Sequence, residues 1–428
     1  MEDFPKGNLW HVSASEEVLA PPLENDLEVD LAVIGGGFTG CAAALEAARL
    51  GASVALLEAR EIGHGGSGRN VGLVNAGLWL PPYEILAQMG EAAGRRLIDV
   101  LGGAPARVFG LIEREGISCE ATRNGTLHLA HAASGAEEDL ASRHRQGNRV
   151  GAPVQLLDTA ETARRTGSDA FAGALLDPRA GTVQPLAYCR GLARAAQAAG
   201  ARLHGRTQVT ELSRSGEGWE IRADGRRVRA GAVLMATNAY HEGFSEPFRP
   251  SYVAVHYSQF ATAPLPNDLR ARILAGGEGC WDTALVMSSF RVDQAGRLIL
   301  GGMGDAEGLG GGLHAGWARR KLAQVYPELA DVPFEHAWQG RIAMTRDHVP
   351  KVVRFGPSAL SVFGYSGRGI APGTVFGTAA AEALLEGRED ALPVAPIDSY
   401  AERFTGLRSA YYEAGATLTH ALKPGFLG

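Results

Sequence analysis

The sequence predicts a mixed α/β (α+β) fold in which a Rossmann-like domain is interleaved with an antiparallel β-sheet domain. Residues 27–60 read as buried strand, glycine turn, helix and strand, which is the unit of a parallel sheet. The α/β rhythm returns after residue 173 and again after residue 341, whereas residues 249–340 contain β-rich runs between short turns. Because 428 residues are many for a single core, we expect two intergrown domains.

The bulk composition excludes several classes of function. Hydrophobic residues make up 45% and charged residues 21% of the chain, which is typical of a soluble globular protein. A net charge of −6 provides no basic surface for nucleic acid. No apolar run is long enough for a membrane span, and the N-terminus lacks the basic and apolar regions of a secretory signal. We therefore expect a cytoplasmic protein without a membrane span.

The four cysteines indicate neither disulfides nor a metal centre. Cys41, Cys119, Cys189 and Cys280 are far apart and form no C-x-x-C pair. Such cysteines are typical of reduced, buried thiols. We expect no metal ligands in this chain.

The first glycine turn predicts a dinucleotide site. Gly35, Gly37 and Gly40 have G-x-G-x-x-G spacing between a predicted strand, 29–34, and a predicted helix, 38–50. The glycines admit a pyrophosphate against bare backbone, at a helix N-terminus that favours negative charge. The alternative is an ordinary glycine-rich βα turn.

The acidic residue at the end of the second strand supports the dinucleotide interpretation. Glu58 follows the predicted strand 53–57, where a carboxylate accepts hydrogen bonds from the ribose diol of adenosine and repels a 2′-phosphate. The candidates in this first unit are Gly35, Gly37, Phe38, Thr39, Gly40, Glu58, Ala59 and Arg60.

A second glycine cluster, GHGGSGRNVGL, follows within ten residues of Glu58. A simple NAD site has no need of it, whereas FAD continues past the first turn through its pyrophosphate, ribityl chain and flavin. Ser67 and Arg69 are candidate phosphate donors, and Asn70 is a candidate for the flavin edge. The alternative is a flexible glycine loop. The candidates here are Gly66, Ser67, Gly68, Arg69, Asn70, Gly72 and Leu73.

Three later segments complete the predicted cofactor site. Val209 lies in a strand against which an adenine could rest. Residues 226–229 are predicted as a short hairpin arm, and the separate buried strand GAVLMAT, 231–237, ends at Thr237 and is followed by Asn238. A further strand, 360–363, leads through the loop GYSGRG into a predicted helix, 371–385, whose N-terminus would stabilise negative charge on a reduced flavin. The candidates in this loop are Gly364, Tyr365, Gly367, Arg368, Gly369 and Ile370.

The antiparallel segment is where we expect the substrate. Its candidate substrate-binding residues are Tyr257, Trp281, Arg291 and Trp338. The candidate catalytic residues are His256, Arg341, Tyr365 and Arg368. Taken singly, each of the aromatic and polar residues of the antiparallel segment is more often a packing residue than a functional one.

With GGGFTG…LLEAR, GHGGSGRN and GYSGRG in this order, the chain resembles the D-amino-acid-oxidase-like FAD-dependent oxidoreductases, and most of all their gamma-glutamylputrescine oxidoreductase-like branch. The resemblance implies FAD and an amine or amino-acid-like substrate. It implies oxidation of a C–N bond to an imine by hydride transfer to flavin N5, followed by hydrolysis, with dioxygen or another acceptor reoxidising the flavin.

The chain departs from related branches at three positions. Gly340 and Asn70 stand where cysteine or histidine tethers the flavin, so we expect non-covalent FAD. Ala371 stands where a lysine holds a substrate carboxylate, so Arg368, Arg341 or Arg291 is the candidate replacement for that positive charge.

Two alternatives to an oxidase remain open, and the oligomeric state is unknown. One is a dehydrogenase that passes electrons to a quinone or a carrier protein, and the other is a non-catalytic flavin-binding protein. We expect an N-terminal arm, 1–26, an FAD-binding domain from 27–85, 150–240 and 341–390, and a substrate domain from 86–149 and 241–340. The C-terminal tail, 391–428, is expected to be helical from 399 to 414 and to pack across the FAD-binding domain.

Overall fold

A computed structural model describes residues 7–422 and places most of their strands in two large sheets. The predicted arm and tail are therefore described except for 1–6 and 423–428, which lie outside the described residues. The strands are β1 Leu27–Ile34, β2 Val54–Leu57, β3 Leu73–Val74, β4 Thr126–Ala130, β5 Gln155–Leu157, β6 Gly173–Asp177, β7 Gly181–Thr182, β8 Arg202–His204, β9 Val209–Ser215, β10 Gly218–Ala223, β11 Arg226–Met235, β12 Val253–Pro264, β13 Gly279–Asp282, β14 Ser288–Val292, β15 Arg297–Met303, β16 Phe334–Met344, β17 Lys351–Gly356 and β18 Ala359–Phe363. The α-helices are α1 Leu9–Ser13, α2 Phe38–Arg49, α3 Pro82–Met89, α4 Glu91–Gly102, α5 Ala104–Glu115, α6 Ala141–Arg149, α7 Thr159–Thr166, α8 Pro185–Ala198, α9 Asn267–Arg270, α10 Gly311–Val325, α11 Ile370–Glu386 and α12 Thr405–Ala421.

The first sheet brings four strand ends to one edge. Its order is β17-β18-β11-β1-β2-β8, with the β9–β10 hairpin joined to β11. Ile34 at the end of β1 pairs in parallel with Leu57 and Met235, and Met235 pairs with Ser361 of β18. The segments that follow these strands therefore meet at the carboxyl edge, where open parallel sheets bind ligands.

Helix α2 lies close to its neighbours because its sequence is built from small residues. It begins after Gly37 and buries its alanines against the sheet, α8 and α11. A Cβ on Gly40 would lie 1.9 Å from the carbonyl oxygen of Gly35, and a Cβ on Gly377 of α11 would lie 2.2 Å from that of Thr39. Both contacts require glycine.

The second sheet is mainly antiparallel, as predicted, and has the order β16-β12-β15-β14-β13-β4-β6-β5. Its pairing of β12 with β16 sets His256 opposite Arg341 and Tyr257 opposite Gly340. Residues 249–340 therefore supply one face of the region where the two sheets meet.

Packing divides the chain differently from the predicted domains in two stretches. Strands β5 and β6 were expected with the first sheet but pair within the second. Leu97 of α4 and Val108 of α5 were expected in the substrate domain but are buried in the core formed by α2, α8 and α11. An apolar run does not indicate which sheet it joins, because strand partners can be distant in sequence. We therefore propose that β5 and β6 belong to the substrate domain and that α4 and α5 belong to the FAD-binding domain.

The C-terminal tail also differs from its prediction. Its helix, α12, begins at Thr405 rather than near residue 399, and it follows Phe404, which has a left-handed φ of 54°. Helix α12 packs on α10 and β12 of the second sheet, not across the first sheet. Among residues 7–422, no helix has the length and apolar character that a membrane crossing requires.

Candidate functional site

An elongated cavity of about 530 Å³ runs from the carboxyl edge of the first sheet to the second sheet. The three glycine loops and the antiparallel strands thus border the same space. The predicted site residues that line it are Gly35, Gly37, Phe38, Thr39, Glu58, Ala59, Arg60, Gly66, Ser67, Arg69, Asn70, Leu73, Val209, Thr237, Asn238, His256, Tyr257, Trp281, Arg341, Tyr365, Gly367, Arg368, Gly369 and Ile370.

Four predicted glycines lie behind the cavity rather than on its wall. Added Cβ atoms at Gly40, Gly68 and Gly72 would meet backbone oxygens at 1.9, 2.4 and 2.2 Å. The N–H of Gly364, at a φ of 86°, donates to Oδ1 of Asn238 at 3.0 Å. These glycines shape the loops, and sequence spacing does not separate that role from ligand contact.

Arg291 and Trp338 correct the predicted substrate set, because both are buried away from the cavity. Arg291 is 1% exposed; it donates to the carbonyl of Val183 at 2.5 Å and lies over the Trp10 ring at 5.6 Å. Burial lowers the pKa of Arg291. Trp338 packs edge-on against Trp10. These two side chains therefore pack behind the site. Strand alternation alone does not reveal which face of a strand meets a ligand.

The carboxylate of Glu58 is fixed by backbone donors at the end of β2. One oxygen accepts from the N–H of Gly36 at 2.7 Å, and the other accepts from the N–H of Arg60 at 2.9 Å. Burial raises the pKa of Glu58, and these two hydrogen bonds oppose that rise. Each oxygen keeps a further lone pair for a ribose hydroxyl.

Ser67 joins the first two glycine loops. Its hydroxyl oxygen accepts from the N–H of Phe38 at 3.0 Å, at the start of α2. A Cβ at Gly37 would lie 2.8 Å from that oxygen, so the loops meet without room for a side chain. The Ser67 hydroxyl proton is left for an acceptor such as phosphate.

Arg69 and Asn70 organise the second loop from within. Arg69 donates to the carbonyls of His64 at 2.8 Å and Gln339 at 3.0 Å. The Asn70 amide donates to two carbonyls of its own loop and accepts from the N–H of Gly72 at 2.8 Å. The Asn70 side chain is therefore engaged with its own loop while it also lines the cavity, and its role at a flavin edge stays a prediction.

Three residues hold the second loop from behind. The sequence did not assign Asn8 or Trp10 to the site, and it assigned Trp338 to the substrate instead of the loop. Asn8 donates to the carbonyl of Gly68 at 2.7 Å, and the Trp10 indole donates to that of Asn70 at 2.8 Å. The Trp338 indole donates to the carbonyl of Arg69 at 3.0 Å. Donors 60 and 269 residues away thus fix consecutive carbonyls on the outer side of the loop.

The third loop is tied to the first through two side chains. The hydroxyls of Tyr365 and Thr39 lie 2.7 Å apart in a buried hydrogen bond. Burial raises the pKa of Tyr365, so its hydroxyl stays protonated at neutral pH. Tyr365 therefore positions the loop before α11 against the start of α2, and its predicted catalytic role remains a proposal.

The second-sheet end of the cavity carries the predicted polar residues. Nδ1 of His256 is 3.1 Å from Oε1 of Gln339 and 3.4 Å from a carboxylate oxygen of Asp305. The hydroxyls of Tyr257 and Ser289 are 2.9 Å apart. The cavity-lining residues Gln339 and Ser289 were not predicted, since neutral polar residues in strands carry no sequence signature.

Arg341 is held by an aromatic residue that the sequence analysis did not select. The backbone N–H of Arg341 donates to the Tyr240 hydroxyl at 2.8 Å, and the Arg341 guanidinium lies 4.6 Å from the Tyr240 ring centre. Glu242 lies 3.8 Å from the same guanidinium. Arg341 is therefore partly committed to neighbours from the segment after β11.

Arg368 and Trp281 form a cation–π contact on the cavity wall. The guanidinium lies 4.0 Å from the Trp281 ring centre, and Nη1 donates to the carbonyl of Ala76 at 2.9 Å. The Nε of Arg368 and the Nε1 of Trp281 are buried without a protein partner. Burial lowers the pKa of Arg368 to about 9, which leaves it positively charged at neutral pH.

The residues present fit FAD. Glu58 and the first loop suit the adenosine and pyrophosphate, and a Cβ at Gly36 would lie 2.8 Å from Ile62, so the turn presents only backbone. The second and third loops continue the same cavity toward the polar end of the second sheet. In residues 7–422 no cluster of three or more histidine, cysteine or acidic side chains is arranged to hold a metal ion.

Comparisons with known proteins agree with this arrangement. The FAD dependent oxidoreductase family (DAO) matches residues 30–383. A probable oxidoreductase OrdL of Rhizobium meliloti is 32% identical over 85% of this chain and 85% of that protein. Gamma-glutamylputrescine oxidoreductase of Escherichia coli is 29% identical over 94% of this chain and 96% of that protein.

Solved structures show the same fold. Glycine oxidase from Geobacillus kaustophilus superposes with a TM-score of 0.71 at 22% identity, covering 88% of this chain and all of that chain. L-proline dehydrogenase from P. horikoshii gives a TM-score of 0.69 at 19% identity, covering 87% of this chain and 98% of that chain. At such identities the likeness establishes the architecture alone.

Proposed function

Because the chain belongs to the FAD dependent oxidoreductases, we propose that it oxidises the C–N bond of an amine or amino-acid-like substrate to an imine, which water hydrolyses. One observation carries the proposal: the cavity bordered by three glycine loops ends among aromatic and cationic residues of the second sheet. Relatives named for gamma-glutamylputrescine and glycine support this substrate class. Bound FAD supplies the two-electron acceptor.

The aromatic wall would select the neutral amine. Tyr257 and Trp281 line the substrate end, so a bound amine would lie against aromatic rings; burial also raises the pKa of Tyr257. Such a site disfavours an ammonium ion and so favours the free amine that oxidation requires. The chain then needs to hold the reacting carbon close to the cofactor, at about 3–3.5 Å, rather than to supply a strong base.

Arg368 is our proposed contact for an anionic group of the substrate. It lines the cavity, and its Nε is free of protein partners. Arg341 is less suited because Tyr240 and Glu242 already contact it, and Arg291 is outside the cavity. A guanidinium pairs with a carboxylate through two parallel hydrogen bonds.

We propose dioxygen as the acceptor, with His256 as the cavity residue that moves protons during reoxidation. Lys351 is not available for this role, because it is hydrogen-bonded to Asp347 at 2.5 Å and does not line the cavity. His256 lines it and has acceptors in Gln339 and Asp305. The other candidate, a dehydrogenase that donates to a quinone or carrier protein, shares this geometry.

The decisive experiment is anaerobic mixing of the flavin-loaded protein with amines and amino acids while flavin absorbance is followed. Loss of the oxidised-flavin absorbance with an amine is the expected result. If no amine or amino acid changes the absorbance, the proposal fails. Peroxide produced in equal amount to product under air identifies an oxidase, whereas turnover only with an added quinone identifies a dehydrogenase.

A further inference from the structure

A second cavity of about 410 Å³ adjoins the first. The two share Asn75, Trp281 and Arg368 as wall residues, so the stacked Arg368–Trp281 pair stands at the boundary between them. Of the residues in the three glycine loops that fit FAD, Arg368 is the one that also lines the second cavity. Its space is therefore additional to the cofactor site.

The walls of the second cavity are mainly apolar. The aliphatic and proline residues that line it are Leu78, Leu80, Pro81, Pro82, Ile85, Leu97, Ile98, Val150, Val154 and Leu175. They come from the loop before α3, from α3, α4 and β6, and from the loop after α6, so several elements contribute to the apolar surface. A hydrocarbon chain or ring is the group that such walls bind best.

Two of the three arginines in these walls are paired with carboxylates, and the acidic wall residue Asp99 is exposed. Arg143 pairs with Asp139 at 2.7 Å, and Arg179 pairs with Asp177 at 2.7 Å. Burial lowers the pKa of His128 well below its ordinary value, so that ring is neutral. Arg368 at the boundary is left as the cation with an unpartnered, buried N–H group. The arrangement suits one anionic group at the boundary and an apolar group beyond it.

We propose that the second cavity is the distal subsite of an elongated substrate. The amine lies in the first cavity, a carboxylate contacts Arg368, and a hydrocarbon extension passes Trp281 into the second cavity. This assignment rests on the proposed amine oxidation and adds a substrate class to it, because a substrate of the size of glycine would leave the second cavity empty.

The test uses flavin-loaded protein and straight-chain monocarboxylates from acetate to decanoate, titrated while the flavin spectrum is recorded. Each methylene that enters the apolar cavity should tighten binding by about fourfold. The gain should stop when the cavity is filled. Equal affinity for acetate and octanoate would overturn the proposal.

Two substitutions, on different wall elements, fill the second cavity. Ile98→Trp on α4 and Leu175→Trp on β6 should each reduce the ratio of octanoate to acetate affinity by at least tenfold. Leu407→Trp is the matched control, because Leu407 lies on α12, is 72% exposed and lines neither cavity. A chain-length gain that survives both filling variants would show that the tail binds elsewhere, and would overturn the proposal.

A smaller side chain tests the same site where a filling variant fails to fold. Ile98→Ala should move the end of the chain-length gain to a longer acid. Arg368→Met should weaken all the acids by a similar factor, of tenfold or more, and leave the gain per methylene in place. If the length dependence vanishes in Arg368→Met, the second cavity acts only through that arginine and the subsite is disproved.

The outcomes separate this inference from the proposed function. Bleaching of the flavin by short amines without any chain-length gain would support amine oxidation and reject the distal subsite. A chain-length gain that is sensitive to Ile98→Trp, with no bleaching by any amine, would support the subsite and reject amine oxidation.

Discussion

Glu58 connects the first glycine turn to the adenosine end of the cavity. Its two oxygens accept from Gly36 and Arg60, so the carboxylate is already oriented when a ribose arrives. Because a neutral amide has only one acceptor oxygen, the orientation depends on the acid as well as on its position.

We predict that Glu58→Gln weakens FAD binding by about tenfold, since a hydrogen bond to a charged group contributes about 1.5–3 kcal/mol and the amide retains part of it. Fluorescence titration of apoprotein with FAD measures the change. Glu61→Gln, at an exposed position three residues further on, is the control and should bind FAD as the wild type does. Equal affinity in both variants would contradict the role of Glu58.

Residue positions were predictable where one short motif determines the local backbone geometry. Gly35, Gly37 and Glu58 occupy the first unit in the expected places because strand, turn and helix are local. Trp10 and Trp338 support the site through contacts between residues hundreds of positions apart. Such contacts leave no pattern in a single sequence.

At the scale of elements, the small residues of α2 and α11 set the spacing of the cofactor-binding layer. A Cβ on Gly377 would overlap with the carbonyl oxygen of Thr39, which belongs to the first turn of α2. Any separation of the two helices thus moves the helix end that borders the cavity.

We predict that Gly377→Ala lowers the free energy of unfolding by about 1–3 kcal/mol and weakens FAD binding, because the added methyl overpacks this contact. Gly415→Ala is the matched control: Gly415 lies in the middle of α12, with nothing within 4 Å of an added Cβ. That change should raise stability by up to about 1 kcal/mol, since alanine favours helix. Denaturant unfolding of both variants checks the opposite signs.

Helix α12 is attached through a buried histidine pair. Nδ1 of His420 lies 2.8 Å from Nδ1 of His314, and the His420 ring stacks on Trp317 at 4.1 Å. Burial, together with the nearby charges of His314 and Arg320, lowers the pKa of His420 to about 3.

We predict that α12 loosens as the solution is acidified. Below pH 6.5 the unfolded chain binds a proton at His420 that the folded chain excludes, so stability is lost from about pH 6.5 toward pH 3. The loss from this one group approaches about 1.4 kcal/mol per pH unit. His420→Phe retains the stacking and removes the titration. Hydrogen exchange in α12 should rise more steeply on acidification in the wild type than in this variant; parallel curves would refute the assignment.

Element boundaries were predicted best where burial dictates them. Strand β1 and helix α2 begin within two residues of their predicted starts. Strand β11 runs unbroken from Arg226 to Met235, although the sequence suggested a short hairpin arm and a separate strand. Its first half pairs with both β10 and β1, and this double pairing is tertiary information.

At the scale of the whole molecule, the cofactor cavity lies between two sheets, and each sheet has its own hydrophobic core. The largest buried cluster belongs to the first sheet and its helices, and a second belongs to the antiparallel sheet. A ligand that contacts loops from both sides favours the folded chain by mass action.

We predict that FAD at one hundred times its dissociation constant adds about 2.7 kcal/mol to the stability of the folded protein. Thermal unfolding of apoprotein with and without FAD should show a rise of several degrees. ADP is expected to give a smaller rise through Glu58 and the first loop, and FMN little, because FMN lacks the adenosine part. A rise with FMN equal to that with FAD would contradict the assignment of the adenosine end.

The contacts of Asn8 and Trp10 have a consequence for synthesis on the ribosome. These residues leave the ribosomal exit tunnel long before Trp338, which the loop also needs, and the turn before α11 emerges later still. The nascent chain therefore cannot complete its flavin pocket until most of the polypeptide has been made. Cofactor loading becomes a late event in biogenesis, and a ribosome-bound chain that stops short of residue 370 should remain free of flavin.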